Sequence, residues 1–361
     1  MTTEAAQPLK VQRWNRVSVV FTAALIGVFG LLALTPMAFT QDTTEKLTEL
    51  FILVLLAVMW NSLAGFGGLV SVGQQAFIGI GAYATIVLAD HGVNGYVAVV
   101  VAALFAGAIS LPVSLLVFRL RAGQFAIGMW VVAESFRLIV YNDNNVGGGT
   151  GRSLTALNVY DPATRQAYTF WLALGLMAVL LTAVVLLLRS RLGSALQAIR
   201  DDEVGAASLG VRITLAKRLV FLLAAVGCGA AGALTLANTL RVEPNSIFGV
   251  DWTAYMIFMV LIGGLGTFEG PVIGALIFFL IQNEFSDQGS WYLIGLGLVA
   301  IGMTLVAPRG IWGTLVNRFD IELVPVGHRV RGLPPPSAQP PTATRIDERA
   351  PAVPHKEQTP T

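Results

Sequence analysis

From Arg189 to Val211 the chain reads Arg-Ser-Arg-Leu-Gly-Ser-Ala-Leu-Gln-Ala-Ile-Arg-Asp-Asp-Glu-Val-Gly-Ala-Ala-Ser-Leu-Gly-Val, a charged island between the apolar blocks Thr169 to Leu188 and Lys217 to Leu240. Ser194 followed three residues later by Gln197 has the form of a capping box, which satisfies free backbone N–H groups at a helix start. Gly210 suits the left-handed residue that closes a helix. One helix from Ser194 to Leu209 would be about 24 Å long, with Gly205 as a point where it can divide. Ala195, Ile199, Asp202, Ala206 and Leu209 would then share a stripe beside Leu196, Arg200 and Glu203. Ala198, Ala206 and Ala207 would let a partner approach closely, while Arg200, Asp201 and Asp202 would orient it. A solvated connector, whose basic residues only set its side of a bilayer, would explain the arginines but not the cap or the small residues.

The rest of the chain shows what the island interrupts. Of 361 residues 55% are hydrophobic and 12% charged, with a mean hydropathy of +0.71, whereas a soluble domain carries about 25% charged residues. The expectation is an all-α, polytopic transmembrane bundle. Cys228 lies alone in an apolar block, and the histidines (His91, His328, His355) fall outside the apolar runs. A disulfide within the chain is excluded, and neither a metal cluster nor a catalytic triad is indicated, so an enzyme is not expected. The net charge of +2 does not imply nucleic acid, because the basic residues gather in loops on one side.

Ten spans are expected, eight to ten if some are broken or re-entrant: Val17 to Phe39, Leu47 to Leu63, Gly65 to Leu88, Tyr96 to Phe118, Phe125 to Tyr141, Thr169 to Leu188, Lys217 to Leu240, Trp252 to Leu265, Pro271 to Phe285 and Trp291 to Val306. The first is too long for a signal-peptide core and is read as retained. Trp252 to Leu265 and Pro271 to Phe285 are short and could form a re-entrant hairpin. With a cytoplasmic N-terminal segment (1–16), the inner joints hold Lys10, Arg13, Arg16, Arg119, Arg121 and the basic residues of the 189–216 loop, and the outer joints only Lys46, Arg152, Arg165 and Arg241. That asymmetry sets the orientation. The membrane domain spans 17–315. The Pro-rich tail, 324–361, is expected to be disordered and cytoplasmic.

Two further stretches stand out. Gly65 to Tyr83 is dense in glycine, and Ser71, Gln74 and Gln75 place a polar stripe at membrane depth, read as part of a translocation path. Trp130, Glu134, Arg137 and Tyr141 share one helix face. Glu134 and Arg137 are expected to pair and to face the bundle interior, either structurally or as part of the path, because a charge at mid-bilayer costs roughly 2.5 to 3.5 kcal/mol. In Gly263 to Gly274 the glycines favour close packing and Pro271 the first turn of a helix. No Gly-x-x-x-x-Gly-Lys-Ser/Thr run occurs, so the chain is not itself a P-loop ATPase.

Gly68 to Tyr83, Arg189 to Val211 and Gly263 to Gly274 together resemble the LivM-type permeases of branched-chain amino-acid ABC importers, with Phe118 to Arg121, Glu134 to Arg137, Gly147 to Leu154 and Ala307-Pro-Arg-Gly in support. Gln74 departs from the family's usual histidine. The resemblance implies a permease subunit in a bacterial inner membrane, working beside a second, LivH-like permease, two ABC ATPases that use ATP and Mg, and a periplasmic or extracellular substrate-binding protein. It also implies that Arg189 to Val211 is the coupling loop that meets the ATPases, and that cofactor chemistry lies in them. Branched-chain or related amino acids are the expected substrate; urea or short amides within the family, or less readily an ion-coupled secondary carrier, are the alternatives.

Overall fold

A run of residues cut off from water must pair every backbone N–H within itself, and the apolar blocks here do so as helices. The computed structural model describes residues 10–12, 27–120, 123–285, 290–307, 310–319 and 329–331. After helical residues 27–33 and Thr35–Ala38 come α1 (Gln41–Asn61), α2 (Gln75–Asp90), α3 (Gly95–Val117), α4 (Gly123–Asn142), α5 (Pro162–Arg189), α6 (Arg191–Asp201), α7 (Glu203–Ser208), α8 (Ile213–Thr239), α9 (Asp251–Gly263), α10 (Gly270–Phe285), α11 (Ser290–Val306) and α12 (Gly310–Phe319). Seven helical stretches among the described residues are long and apolar enough to cross a membrane, and Gln75–Asp90 and Gly270–Phe285 are shorter apolar helices. The chain is an all-α polytopic bundle. Residues 17–26 of the expected first span lie outside the described residues.

Small residues set the helix spacing. A Cβ at Gly81 would overlap the Gly229 carbonyl, and one at Gly232 the Ile78 carbonyl, so α2 and α8 meet backbone to backbone. Gly263 and Gly274 do the same for α9 and α10. Such contacts hold helices together where lipid offers little hydrophobic driving force. They leave α1 at the centre, against α5, α8, α9 and α10, with 83% of its apolar window buried, whereas α4 at the periphery has 17%.

The expected span Gly65 to Leu88 is corrected. After α1 the chain makes a π-helical segment, Ser62–Phe66, and residues 68–74 hold no regular helix before α2 starts at Gln75. The cause is glycine: Gly68 takes φ +66°, and Gly73 sits against the Met129 backbone too closely for a side chain. At the other end of α1, the loop between α4 and α5 is pinned by a two-stranded ladder, β2 (Arg152–Ser153) with β3 (Arg241–Val242), and by an Asp90–Arg152 ion pair at 2.9 Å.

A separate unit is formed by residues 1–13 and 328–361, in which β1 (Lys10–Gln12) pairs antiparallel with β4 (Arg329–Arg331). Residues 329–331 of the Pro-rich tail form the second strand of that pair. The remainder of the Pro-rich tail lies outside the described residues.

Candidate functional site

The charged island folds as two short helices rather than one. Ser190 ends α5 and caps α6, its Oγ accepting from the Leu192 N–H at 3.1 Å. The cap expected at Ser194 is thus four residues early, because Gly193 packs against the Leu188 carbonyl and lets the chain turn at once. Ser194 lies exposed within α6. The break falls at Asp202, not Gly205: Asp202 is extended (φ −155°, ψ 106°) and caps α7 through the Val204 N–H at 3.0 Å. Gly210 closes the unit with φ +78°, as the sequence indicates.

The break removes the single stripe. Leu196, Ile199 and Ala206 point into the protein, Ala206 being only 3% exposed. Ala198 is half-buried, and Asp201, Asp202, Ala207 and Gly210 are exposed. Of the alanines read as allowing close approach, only Ala207 is exposed, flanked by Val204 and Leu209, which are 80% and 83% exposed. Leu209 belongs to the stripe read from the sequence; Val204 was not singled out there.

Arg200 is where the island meets the bundle. Its Nε and Nη2 donate to Asp201 Oδ1 at 3.0 and 2.9 Å, and its Nη1 donates to the Gly65 carbonyl, in the π-helical segment, at 2.8 Å. One turn earlier, Asn61 is 2% exposed. Its Nδ2 donates to the Thr267 carbonyl at 2.7 Å, and its Oδ1 accepts from the Gly266 N–H at 2.9 Å. Gly266 adopts φ +77°. The three stretches quoted from the sequence thus converge on one junction of Arg200, Gly65, Asn61 and the 266–267 turn. Asn61 was missed from the sequence; the available signal was an amide alone in an apolar run, which needs a partner at membrane depth.

Ser71, Gln74 and Gln75 are buried (0%, 0% and 1% exposed). Ser71 Oγ accepts from Gln74 Nε2 at 3.2 Å, the Ser71 carbonyl accepts from Trp60 Nε1 at 2.9 Å, and Gln75 Oε1 accepts from the Thr253 hydroxyl. They line no open surface in this conformation. Gln74 Oε1 has no hydrogen-bond partner among the described residues.

Glu134 and Arg137 do pair: Arg137 Nε donates to Glu134 Oε2 at 2.9 Å and Nη2 to Oε1, while Nη1 reaches Asn245 Oδ1 at 2.6 Å. The expectation that the pair faces the bundle interior is corrected: it sits on the outward side of α4, with Trp130 51% exposed and the Tyr141 ring 5.8 Å from the guanidinium carbon. The residues read from the sequence as a path therefore fall into two groups: Ser71, Gln74 and Gln75 are enclosed, whereas Trp130, Glu134 and Arg137 lie on the open side of α4. Removing either charge leaves the other unpaired at membrane depth, a cost of roughly 2.5 to 3.5 kcal/mol. Glu134→Gln and Arg137→Gln should each lower the membrane-inserted amount several-fold, and the double change should recover part of it. Equal abundance of all four proteins on immunoblots of washed membranes would contradict this.

A glycine-packed bundle of apolar helices with a pair of short capped helices beside it is the build of a polytopic membrane permease. Residues 43–308 match the family described as branched-chain amino acid transport system / permease component, and the chain belongs to that family. It is similar to the high-affinity branched-chain amino acid transport system permease protein LivM of Escherichia coli K12, with 27% identity covering 80% of this chain and 74% of the relative. The corresponding Salmonella typhimurium protein is 26% identical over the same shares. A probable LivM of Methanocaldococcus jannaschii is 27% identical across 45% of this chain and 48% of its own. No solved structure matches the chain.

Proposed function

We propose that the chain is the permease subunit of an ATP-binding-cassette importer for branched-chain or related amino acids in a bacterial inner membrane. It forms half of the translocation path beside a second, LivH-like permease. Two ATPase subunits, using ATP and Mg, engage α6 and α7, and a periplasmic or extracellular binding protein delivers substrate. The observation that carries this reading is the Arg200–Gly65 hydrogen bond, which ties an exposed, doubly capped helix pair to the irregular segment between two membrane helices. A solvated connector has no need of such a tie. The Glu134–Arg137 pair supports a second membrane subunit, since charges exposed on a span are suited to a protein or water-filled surface rather than to hydrocarbon.

Movement of the ATPases would reach the spans through Arg200. Because Ala206 is buried, bulk there would disturb the loop itself, and Ala207 is the clean probe of docking. Arg200→Glu should uncouple ATP hydrolysis from uptake, and Ala207→Trp should release the ATPase. Overpacking of this kind costs about 1 to 3 kcal/mol. Co-purification of the ATPase and substrate uptake are read in the same membranes; normal values for both variants would leave the loop a connector.

Orientation rests on the arginine distribution. Single cysteines at Ser194 and Val159, in a Cys228→Ser background, are expected to react oppositely with an impermeant thiol reagent. In intact cells position 159 is labelled and 194 is not. The reverse pattern would invert the topology and remove the docking role.

A further inference from the structure

At the end of α1 opposite the Arg200 junction lies a cavity of about 460 Å³. Its polar wall includes Glu45, Glu49, Arg241, Glu243 and Gln282, and its apolar wall is formed chiefly by Ile52, Leu53, Ile247, Trp252 and Tyr255. Glu45 and Glu49 stand one helical turn apart, a spacing at which like charges repel. Neither carboxylate has an ion-pair partner among the described residues, because the nearby cations are engaged elsewhere. Lys46 pairs with Asp42 at 3.1 Å, and Arg241 is held by the Thr150 carbonyl at 2.9 Å and by Glu243 at 3.5 Å.

Among the described residues Glu49 accepts only from Gln282 Nε2, at 3.0 Å. The other atom of that amide, Gln282 Oε1, is buried and has no hydrogen-bond partner among the described residues. A partly buried carboxylate beside an apolar wall is stabilised by a facing cation, and a buried amide oxygen needs a donor. A primary ammonium satisfies both, since it carries a positive charge and three N–H donors and accepts nothing. No three acidic, histidine or cysteine side chains among the described residues are placed to hold a metal ion. Aromatic and aliphatic walls also suit an organic cation better than a hydrated inorganic one.

We propose that this cavity is an amine subsite, in which Glu49 and Gln282 hold the ammonium of a small amino acid while Ile52, Leu53, Trp252 and Tyr255 cover its apolar side chain. Glu45 adds field at the mouth. The proposal rests on the amino-acid importer reading and gives it a place on this chain: the charge-bearing end is recognised at the end of the bundle that the arginines place outside.

The test uses the full-length chain in lipid nanodiscs, with 3-methylbutylamine as probe and 4-methylpentanoate as the matching compound without an amine. Trp252 emission is isolated by subtracting the spectrum of Trp252→Phe. The amine should change that emission saturably, leucine should compete, and the carboxylate should do neither at equal concentration. Glu49→Gln and Gln282→Met should each weaken amine binding by about tenfold or more, the loss expected when a charged hydrogen bond is removed. Equal responses to amine and carboxylate, or unchanged amine affinity in either variant when correctly inserted, would overturn the subsite. Leucine uptake with the partner subunits separates the two readings. Amine binding without uptake leaves the subsite standing and defeats the importer for leucine; uptake without Glu49-dependent binding defeats the subsite alone.

Discussion

Gly81→Val is expected to abolish nearly all folded, membrane-inserted protein. The first carbon of any side chain at Gly81 overlaps the Gly229 carbonyl of α8, and in the reciprocal contact one at Gly232 overlaps the Ile78 carbonyl of α2. A flexible side chain could swing aside; a helix backbone cannot, so α2 and α8 would have to separate. That separation would also open the packing of α3, which touches both helices. Overpacking in an ordinary core costs about 1 to 3 kcal/mol and can exceed that range when the obstacle is backbone. Against a total stability of about 5 to 15 kcal/mol, the loss is severe. Gly175→Ala supplies the control, because nothing lies within 4 Å of a Cβ there. Size-exclusion profiles of detergent extracts should show the Gly175 variant at normal yield and the Gly81 and Gly232 valine variants largely absent or aggregated. A normal profile for Gly81→Val would mean that α2 and α8 do not cross as described.

Asn61→Leu is the second large effect expected, and it separates folding from coupling. Leucine has nearly the same bulk, but it strands the Gly266 N–H and the Thr267 carbonyl, both now held by Asn61. Each stranded buried group costs about 1 to 3 kcal/mol. The thermal midpoint in nanodiscs should fall clearly, and in the assembled transporter ATP hydrolysis should continue with little uptake, because the 266–267 turn would no longer move with α1. Asn61→Asp keeps the acceptor for Gly266 and loses the donor to Thr267, so an intermediate midpoint is expected. A Leu variant with the parent's midpoint and uptake would show that the junction transmits nothing.

Much of this was legible in the sequence because membrane helices announce themselves by composition alone. The ends of α3, α4, α8 and α10 fall within a few residues of the apolar runs read for them, and Gly210 and the Glu134–Arg137 pair stand as the residue types require. What the sequence could not resolve are contacts set by long-range packing. Ser190 and Ser194 are equally good caps locally, and only the close passage of Gly193 over Leu188 selects the first. Gly65 to Leu88 has the hydropathy of one span, yet Gly68 and Gly73 place the start of α2 at Gln75. The Asn61 junction joins residues about 205 positions apart, and one chain read without its contacts offers no reason to connect them. The amine cavity is similar: nothing in the sequence connects Glu49 with Gln282, whose amide donates to it.

The π-helical segment at the end of α1 has a mechanical consequence. A π-helix closes its hydrogen bonds one residue further along than an α-helix, so Ser62–Phe66 stores a surplus residue in the winding. In crystal terms it is a dislocation, and a dislocation can glide. Each residue it passes is rotated by about 100° and advanced about 1.5 Å, the step of one residue in an α-helix. Glide of a single residue toward the N-terminus would carry Asn61 off the 266–267 turn while leaving Glu45 and Glu49, four turns away, in place. The far end of α1 can thus hold still while its near end reindexes, a screw-like step that needs no helix to melt.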